Sequence, residues 1–384
     1  MTKPLSYSWL EIRERALISN IRAHRRLLDR GVKLLAVLKS NAYGHGLELT
    51  ARVCERSHQV DMLGVAGLNE ALTLKQEGIN LPILVLSYFR PFISHDLITA
   101  LSQKISFAIY EEEQLKALEQ AAKKCGKVAN VHLKLETGMA RLGVSCEQAV
   151  IFLKRILSSP YLKLEGVATH FATAESQDHW FLNEQLNNFN NFLSKVKNLL
   201  PKDLYEHTAC TAAITTSPKS QRNLVRLGIG LYGLWPSTNN KQMVQKNHPN
   251  FDLKPALTWK TQIIQIQNLP AKTPVGYDCS FVTKRPTVMA TLPIGYWDGY
   301  DRKLSNRGSV IIHGTKCKII GKICMNITMV DVTEIPNVKV GDEVVLLGKQ
   351  KNEEITADEI ATLTETINYE VVTRINPQLP RVLV

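Results

Sequence analysis

The first residue whose type and position could support catalysis is a lysine that follows an apolar run. The segment LLAVLKSNAYGHG, residues 34–46, begins as a buried strand and passes at Lys39 into glycines and polar rings. A lysine amine that loses its proton in such surroundings is a nucleophile toward carbonyl groups. Lys39 is therefore a candidate catalytic amine at the end of a strand.

Other polar side chains also follow apolar runs of strand length. In a parallel barrel the catalytic groups lie at the C-terminal ends of the strands, so these positions are informative. One such residue alone is more often a structural polar group, but several at separate strand ends favour a shared site. The residues at these ends are Tyr43, His45, Lys134, Arg141, His170, Cys210, Thr211, Arg226, Gly228 and Ile229.

These candidates include several cations but no matching carboxylates, which indicates an anionic ligand. Phosphate is a natural candidate, since barrels often bind it after the seventh and eighth strands. Gly228 and Gly230 in RLGIGLYG allow a close approach of the backbone to a phosphate. A nucleophilic lysine, a phosphate site and carboxylate-binding cations together suggest pyridoxal 5′-phosphate held as a Schiff base.

The elements that must position these residues form a regular series. Apolar runs alternate with helical patterns over roughly 225 residues, the usual size of a (β/α)8 barrel. A doubly wound open sheet is the alternative, although no GxGxxG motif follows a strand. Helices are expected over 111–126, along the stripe from Leu182 to Val196, and after a cap at Ser145. The predicted strands are 34–38, 62–67, 82–89, 105–110, 128–136, 163–171, a segment near 205–211, and 223–233.

The pattern changes after about residue 240. Residues 239–250, NNKQMVQKNHPN, are polar and are interpreted as a loop, and short strands with turn signals follow. The sequence thus predicts an α/β protein with an N-terminal (β/α)8 TIM-like barrel at 10–240 and a C-terminal mostly-β domain. The second domain is expected to comprise 241–384, joined by residues 1–9.

Bulk composition excludes several other classes. The 384 residues are 44% hydrophobic and 21% charged, as in ordinary globular proteins. No apolar run reaches the roughly 18 residues that a membrane span needs, and the N-terminus lacks a signal-peptide core. The seven cysteines form no CxxC pair, which favours reduced thiols, a cytoplasmic location and no metal site. The net charge of +12 is spread along the chain, so we expect neither a nucleic-acid partner nor a membrane partner.

Several segments resemble the motifs of alanine racemases. AVLKSNAYGHG resembles the family's cofactor-lysine signature, and the match extends over essentially the whole chain. The resemblance implies an N-terminal (β/α)8 barrel, a C-terminal β domain, a homodimer, pyridoxal 5′-phosphate, and interconversion of L- and D-alanine for peptidoglycan. The further matching segments are LKLETGMARLGV, ATHFATAES, VRLGIGLYGL, VGYDCSF, TLPIGYWDGY and GKICMNITMVDV.

The resemblance also implies a role for each matching residue. Lys39 would form the Schiff base and act as one acid–base catalyst, and Tyr277 of the neighbouring subunit would act from the opposite face of the cofactor. Arg226 would contact the pyridine nitrogen, with His170 in the same network. Further cofactor contacts implied are Tyr43, Thr211, Gly228, Ile229 and Tyr296. Substrate contacts implied are Arg141 and the backbone of Met325, and Lys134 matches a lysine that is carbamylated in many members.

Three positions depart from the commonest family pattern, and other activities remain as alternatives. Cys210 and Thr211 stand where many members have asparagine and serine, and Asn326 stands where aspartate is usual. Pro377 stands where some members have a tyrosine that reaches the phosphate. A broader-specificity racemase acting on serine or basic amino acids is the main alternative. A barrel decarboxylase would pair the pyridine nitrogen with a carboxylate, and a non-enzymatic cofactor carrier would be a barrel alone.

Overall fold

The computed structural model describes residues 6–384, which divide into two compact units. We call them the barrel unit and the β unit. Of the N-terminal segment assigned from sequence to the second domain, residues 1–5 lie outside the described residues. The barrel unit comprises Arg15–Ala42 and Leu47–Lys254, and the β unit comprises 6–14, Tyr43–Gly46 and Pro255–Val384.

Eight parallel strands form the sheet of the barrel unit. After β1 (Trp9–Ile12) of the β unit, the barrel strands are β2 (Lys33–Val37), β3 (Met62–Val65), β4 (Ile83–Val85), β5 (Ser106–Ile109), β6 (Ala129–Lys134), β7 (Leu162–Ala168), β8 (Tyr205–His207) and β9 (Leu224–Leu227). Each pairs with the next in the order β8-β7-β6-β5-β4-β3-β2-β9. The two end strands meet where the backbone N–H of Arg226 donates to the carbonyl oxygen of Ala209 at 3.0 Å. The predicted (β/α)8 barrel is confirmed, and the open-sheet alternative is wrong.

Helices alternate with these strands, and their ends follow the sequence signals. Glu112–Cys125 ends at Gly126, which has a φ of 64°, as a left-handed C-cap requires. The Ser145 side chain caps the helix Cys146–Ser158 by accepting the N–H of Gln148 at 3.3 Å. Trp180–Val196 buries its predicted apolar stripe. The other helices of the unit are Glu14–Arg25, Leu47–Ser57, Leu68–Gln76, His95–Ser102, Thr211–Thr216 and Thr238–Asn247.

The segment interpreted from sequence as a loop at 239–250 is largely a helix, Thr238–Asn247, so that prediction was wrong. The Ser237 side chain accepts the N–H of Asn240 at 3.2 Å and caps the first turn. Val244 is fully buried in a small apolar cluster with Trp235 and Phe251. One apolar contact and a cap therefore hold a helix whose composition is mostly polar.

The β unit consists mainly of short strands, as predicted. After β1, the strands are β10 (Leu257–Gln262), β11 (Gln265–Leu269), β12 (Pro274–Val275), β13 (Phe281–Val282), β14 (Thr287–Leu292), β15 (Ser309–Ile312), β16 (Thr315–Lys318), β17 (Thr328–Asp331), β18 (Glu343–Gln350), β19 (Glu353–Ile355) and β20 (Arg381–Leu383). The largest sheet has the order β16-β15-β18-β10-β1-β20, and a second sheet has the order β11-β14-β17. Helices Ala357–Thr364 and Asn368–Thr373 complete the unit.

The short segment Tyr43–Gly46 is held within the β unit. Gly44 has a φ of 83°, and a Cβ placed there would lie 2.0 Å from the carbonyl oxygen of Val372. Arg381 Nε donates to the carbonyl oxygen of Gly44 at 3.1 Å. Only glycine allows this close backbone approach.

No helix within residues 6–384 combines the length and the apolar character required to cross a membrane.

His24 gives the barrel unit a pH-dependent stability. It is fully buried, and its Nδ1 lies 2.9 Å from the carbonyl oxygen of Asn20, so Nδ1 carries the proton. Burial lowers the pKa of His24 to about 4. Between pH 6.5 and about 4 the unfolded chain therefore binds a proton here that the folded chain does not.

We expect stability to fall as the pH decreases through this window. In His24→Gln, urea unfolding should show a pH slope that is shallower by about 1.4 kcal/mol per pH unit, which corresponds to one proton. The exposed His95→Gln variant is the control and should keep the parent slope. A His24→Gln slope equal to that of the parent would contradict this assignment.

Candidate active site

Lys39 lies just beyond β2 at the C-terminal end of the barrel. It opens a helical turn, Lys39–Tyr43, whose residues from Ser40 onward are left-handed. Although the residue is exposed at the mouth, the barrel removes part of the water around its amine. This desolvation, with the charge of Arg141, lowers the pKa of Lys39, while the carboxylate of Glu70 opposes the shift. The amine is thus biased toward its nucleophilic, neutral form.

Lys134, the last residue of β6, is the second amine at this end of the barrel. Burial is the main cause that lowers its pKa to about 8, and the charges of Arg226, Arg141 and Lys39 add to it. Its Nζ lies 5.8 Å from the centre of the Tyr110 ring. The four cations therefore act on one another, as expected from their positions at separate strand ends.

Arg226 in β9 is buried, and most of its N–H groups donate hydrogen bonds to other residues of the barrel. Its Nη1 donates to the carbonyl oxygen and to Nδ1 of His207 at 2.7 and 2.9 Å. Its Nη2 donates to the carbonyl oxygens of Thr169 and Thr208, both at 2.8 Å. In the part of the chain that the structure describes, these bonds leave the Nε–H as the donor without a protein acceptor. Burial lowers the pKa of Arg226 to about 10, so it stays a cation at neutral pH.

His170 follows β7 and lies beside the cation Arg226 as a neutral ring. Its Nδ1 lies 3.3 Å from Arg226 Nη2. Burial, reinforced by the charges of Arg226, Arg141 and Lys134, lowers its pKa well below the ordinary value. At neutral pH His170 is therefore an acceptor beside the guanidinium and adds no further positive charge.

A hydrogen-bond chain leads from Arg226 across the barrel to Glu165. His207 Nε2 lies 2.9 Å from His132 Nδ1, and His132 Nε2 lies 3.0 Å from Glu165 Oε2. Because a guanidinium only donates, His207 Nδ1 must accept, and the proton of His207 must be on Nε2. The same argument puts the proton of His132 on Nε2. The chain is thus directed, with every donor pointing from Arg226 toward Glu165.

Local irregularities of β6 and β7 make this chain possible. Val131 pairs with Leu164 and His132 pairs with Gly166, so Glu165 is the extra residue of a β-bulge. A Cβ at Gly166 would lie 2.3 Å from His132 Nδ1, so glycine leaves the space that the imidazole occupies. The bulge aims the Glu165 carboxylate at His132, and Ser106 of β5 donates to the same oxygen.

The hydrogen-bond chain from Arg226 to Glu165 was not predicted from the sequence. The sequence showed no carboxylates to match the cations, whereas Glu165 is linked to Arg226 by hydrogen bonds and Glu70 acts on Lys39. Burial alone would raise the pKa of Glu165, but the hydrogen bonds from His132 and Ser106 outweigh it, and the net shift is downward. Histidine and glutamate within otherwise apolar parallel strands were the available signal, because such strands are normally buried on both faces.

Residues after β8 and β9 lie where the sequence predicts a phosphate site. The Thr211 hydroxyl accepts the backbone N–H of Gly228 at 2.9 Å. Ile229 begins a short 3-10 helix, Ile229–Tyr232, whose first N–H groups have no acceptor within the helix. A Cβ at Gly230 would lie 2.7 Å from both His24 and Thr211. Backbone donors and a hydroxyl are thus assembled where the sequence predicts an anion.

In the β unit, Tyr296 and Met325 lie on adjacent segments. The backbone N–H groups of Tyr296 and Trp297 donate to the carbonyl oxygens of Cys324 and Met325 at 3.1 and 3.0 Å. Gly295 permits this, since a Cβ there would lie 2.3 Å from the Met325 oxygen. Both side chains, with the departure at Asn326, are exposed.

Tyr277 projects from an irregular turn of the same unit. It follows Gly276, whose φ is 70°, and the turn is tied by an ion pair between Asp278 and Lys322. The tyrosine side chain is 66% exposed in the single chain. Its side chain is thus accessible in the single chain.

Tyr43 and His45 lie in the segment of the β unit that follows Lys39. The Tyr43 ring is buried, 6.1 Å from that of Tyr369, and its carbonyl oxygen lies 3.0 Å from His45 Nδ1. Pro377, the third departure, is exposed. Among residues 6–384, no three His, Cys, Asp or Glu side chains are arranged to hold a metal ion.

Known proteins resemble this chain over both units. The family descriptions "Alanine racemase, N-terminal domain" and "Alanine racemase, C-terminal domain" match residues 12–236 and 256–383. An alanine racemase of Halothermothrix orenii is 39% identical over 99% of this chain and 97% of its own. One of Leptospira interrogans is 38% identical over 98% and 96%. The solved alanine racemase of Clostridium difficile 630 has a TM-score of 0.92 at 33% identity, covering 100% of this chain and 97% of that chain.

Removing the charge of Glu165 should destabilise the barrel unit. In Glu165→Gln the His132 N–H keeps an acceptor, but buried Arg226 loses its remote counter-charge, so we expect a loss of about 1–3 kcal/mol at pH 7. Because the pKa of Glu165 is depressed in the folded state, this difference is full above the unfolded pKa of about 4.3 and vanishes at lower pH.

Urea unfolding at several pH values measures this effect. The control is Glu206→Gln, which removes a partly exposed carboxylate 3.6 Å from Arg222 and should cost less than about 1 kcal/mol. Equal losses in the two variants would show that Glu165 does not stabilise the cation.

Proposed function

The chain belongs to the alanine racemase family and interconverts L- and D-alanine, and from this premise we propose that pyridoxal 5′-phosphate, held covalently by Lys39, is its cofactor. The observation that carries the proposal is the position of Lys39. Burial and, after it, the charge of Arg141 lower the pKa of its amine, at the strand end where a barrel performs its chemistry. A neutral amine is the form that attacks an aldehyde.

The residues present fit this cofactor. The Thr211 hydroxyl, which Gly228 orients by donating its N–H, and the backbone N–H of Ile229 would hold the phosphate, and Tyr43 and Tyr296 are proposed as further contacts. The Nε–H of Arg226 would donate to the pyridine nitrogen, since the Nη hydrogens already bind carbonyl oxygens and His207. His170 would keep Arg226 oriented as a neutral acceptor.

When bound, the cofactor withdraws electrons from the α-carbon of alanine and makes its proton more acidic. Lys39 Nζ would remove or return that proton on one face, and the Tyr277 hydroxyl would do so on the other. Two groups on opposite faces are required, because a single base would return the proton to the side it left. Arg226, as a cation, disfavours protonation of the pyridine nitrogen, which keeps electron withdrawal moderate and suits racemisation.

The substrate carboxylate would be bound by Arg141 and by the backbone of Met325. Carbamylation of Lys134 would add a negative charge that orients Arg141. The pKa of about 8 for Lys134 supports this modification, because carbon dioxide reacts with the neutral amine. The carbamate would also offset part of the positive charge around His170 and Arg226.

We also propose a cytoplasmic homodimer that supplies D-alanine for peptidoglycan. The exposure of Tyr277, Met325 and Tyr296 in the single chain supports a site completed by another subunit. The seven cysteines are all free, which fits a reducing compartment. In this arrangement each active site takes Lys39 from one subunit and Tyr277 from the other.

Reduction of the holoenzyme with borohydride should fix the cofactor to Lys39, as peptide mapping would reveal. Lys39→Ala should abolish both attachment and racemisation while leaving the barrel folded by circular dichroism, since the side chain lies outside the core. Lys104→Ala, which removes a surface lysine, is the matched control and should behave as the parent. Attachment to any lysine other than Lys39 would refute the proposal.

Mixing two inactive variants should restore activity if sites are shared. Lys39→Ala and Tyr277→Phe homodimers should each be nearly inactive. After subunit exchange, half of the dimers are heterodimers with one intact site and one doubly altered site. A two-fold dimer therefore predicts recovery of about a quarter of the parent activity. Exchange without recovery would place Lys39 and Tyr277 of one chain in the same site.

A further inference from the structure

The turn after Lys39 has an unusual backbone. Ser40, Asn41 and Ala42 have φ values of 57°, 54° and 51°, with ψ between 46° and 55°, and the φ of Tyr43 is 52°. None of these residues is glycine. Each is therefore in a region that L-residues avoid, and a run of four needs outside support. The position of Lys39 depends on whatever provides that support.

Glu70 provides much of it. Its Oε1 accepts the backbone N–H groups of Ser40 and Asn41 at 2.6 and 3.4 Å. Its Oε2 accepts those of Ala66 and Gly67 at 2.8 and 3.4 Å. One carboxylate thus joins the turn after β2 to the start of the helix Leu68–Gln76 after β3.

Other bonds within the barrel unit secure the middle of the turn but do not replace this link. The N–H of Ala42 donates to the carbonyl oxygen of Leu38 at 2.8 Å, and the Asn41 side chain accepts the N–H of Leu47 at 2.9 Å. These bonds connect neighbours in sequence. Glu70 is the contact that fixes the first residues of the turn to a second strand–helix connection.

Glu70 also differs in charge from the other groups that act on Lys39. Arg141, Lys134 and His170 interact electrostatically with the lysine, and burial and Arg141 lower its pKa. The carboxylate of Glu70 acts in the opposite direction and raises it. The same carboxylate therefore contributes both geometry and a counter-charge.

We propose that Glu70 is a positioning residue for Lys39, holding the left-handed turn that follows the lysine and supplying the negative charge beside its amine. The proposal rests on the proposed role of Lys39 as the cofactor lysine. Glu70 acts through the backbone and through its field, and it takes no part in proton transfer. Its two contributions can be separated by substitution.

Two variants separate the effect of the Glu70 charge from the effect of its side-chain length. Glu70→Gln keeps the length and one acceptor oxygen but removes the charge. Glu70→Asp keeps the charge but is shorter by one methylene, so its oxygens no longer reach both backbone segments. The control is Glu77→Gln, just beyond the other end of the same helix, where an exposed carboxylate pairs with Arg52 at 2.6 Å.

Two measurements are made on the full-length chain. The first is the pH dependence of acetylation of Lys39 in cofactor-free protein, followed by mass spectrometry of its peptide. In Glu70→Gln the midpoint should move to lower pH, whereas Glu70→Asp and Glu77→Gln should keep the parent midpoint. The second is kcat and KM of the holoenzyme, corrected for bound cofactor. Both Glu70 variants should lose about 10–100-fold in kcat with a smaller change in KM, the usual cost of a displaced catalytic group.

Parent values of the midpoint and of kcat in both Glu70 variants would overturn the proposal. A loss of activity that follows only the folded fraction or cofactor content would also overturn it, because a purely structural role predicts that result. Failure of the proposed function is distinguishable. It would appear as borohydride attachment of the cofactor to another lysine in the parent, whatever the Glu70 variants do.

Discussion

The concentration of positive charge at one end of a barrel is the constraint on which the site depends. Arg226 is buried and Lys39, Lys134 and Arg141 act on one another, so each raises the cost of charging the others. The barrel compensates or reduces this positive charge in several ways. Carbonyl oxygens bind the guanidinium, His170 and His207 remain neutral, and the pKa values of the two amines fall. The same crowding that would destabilise an ordinary protein makes amines reactive and favours an anionic ligand.

Carboxylates bring negative charge into this region from positions that the backbone fixes closely. Glu165 is placed by a β-bulge and acts over two imidazoles, and Glu70 is held by four backbone N–H groups. Neither carboxylate pairs directly with Arg226 in the described part of the chain. A direct pair would neutralise the guanidinium at its donor face. Distance therefore lets the cation remain available while its burial is still compensated.

Much of this arrangement was predictable from the sequence. The eight strands and the placement of Lys39, Lys134, His170 and Arg226 at strand ends followed from apolar periodicity, because parallel strands carry an unmistakable two-sided burial pattern. The helix Thr238–Asn247 did not, since one buried valine and a serine cap decide it against a polar composition. The bulge at Glu165 and the left-handed turn after Lys39 were also beyond reach. Both depend on contacts between strands distant in sequence, which override local backbone preference.

The directed hydrogen-bond chain has a consequence for how such barrels diversify. Suppose that a carboxylate replaced Arg226: His207 would have to donate from Nδ1, so both histidines would exchange their tautomers. His132 would then present a bare Nε2 to the Glu165 carboxylate, and two acceptors would face each other. As long as both rings stay neutral, the swap is tolerable only if the far end changes as well. A different partner for His207 at this position therefore requires coordinated substitutions across four strands, β6 to β9.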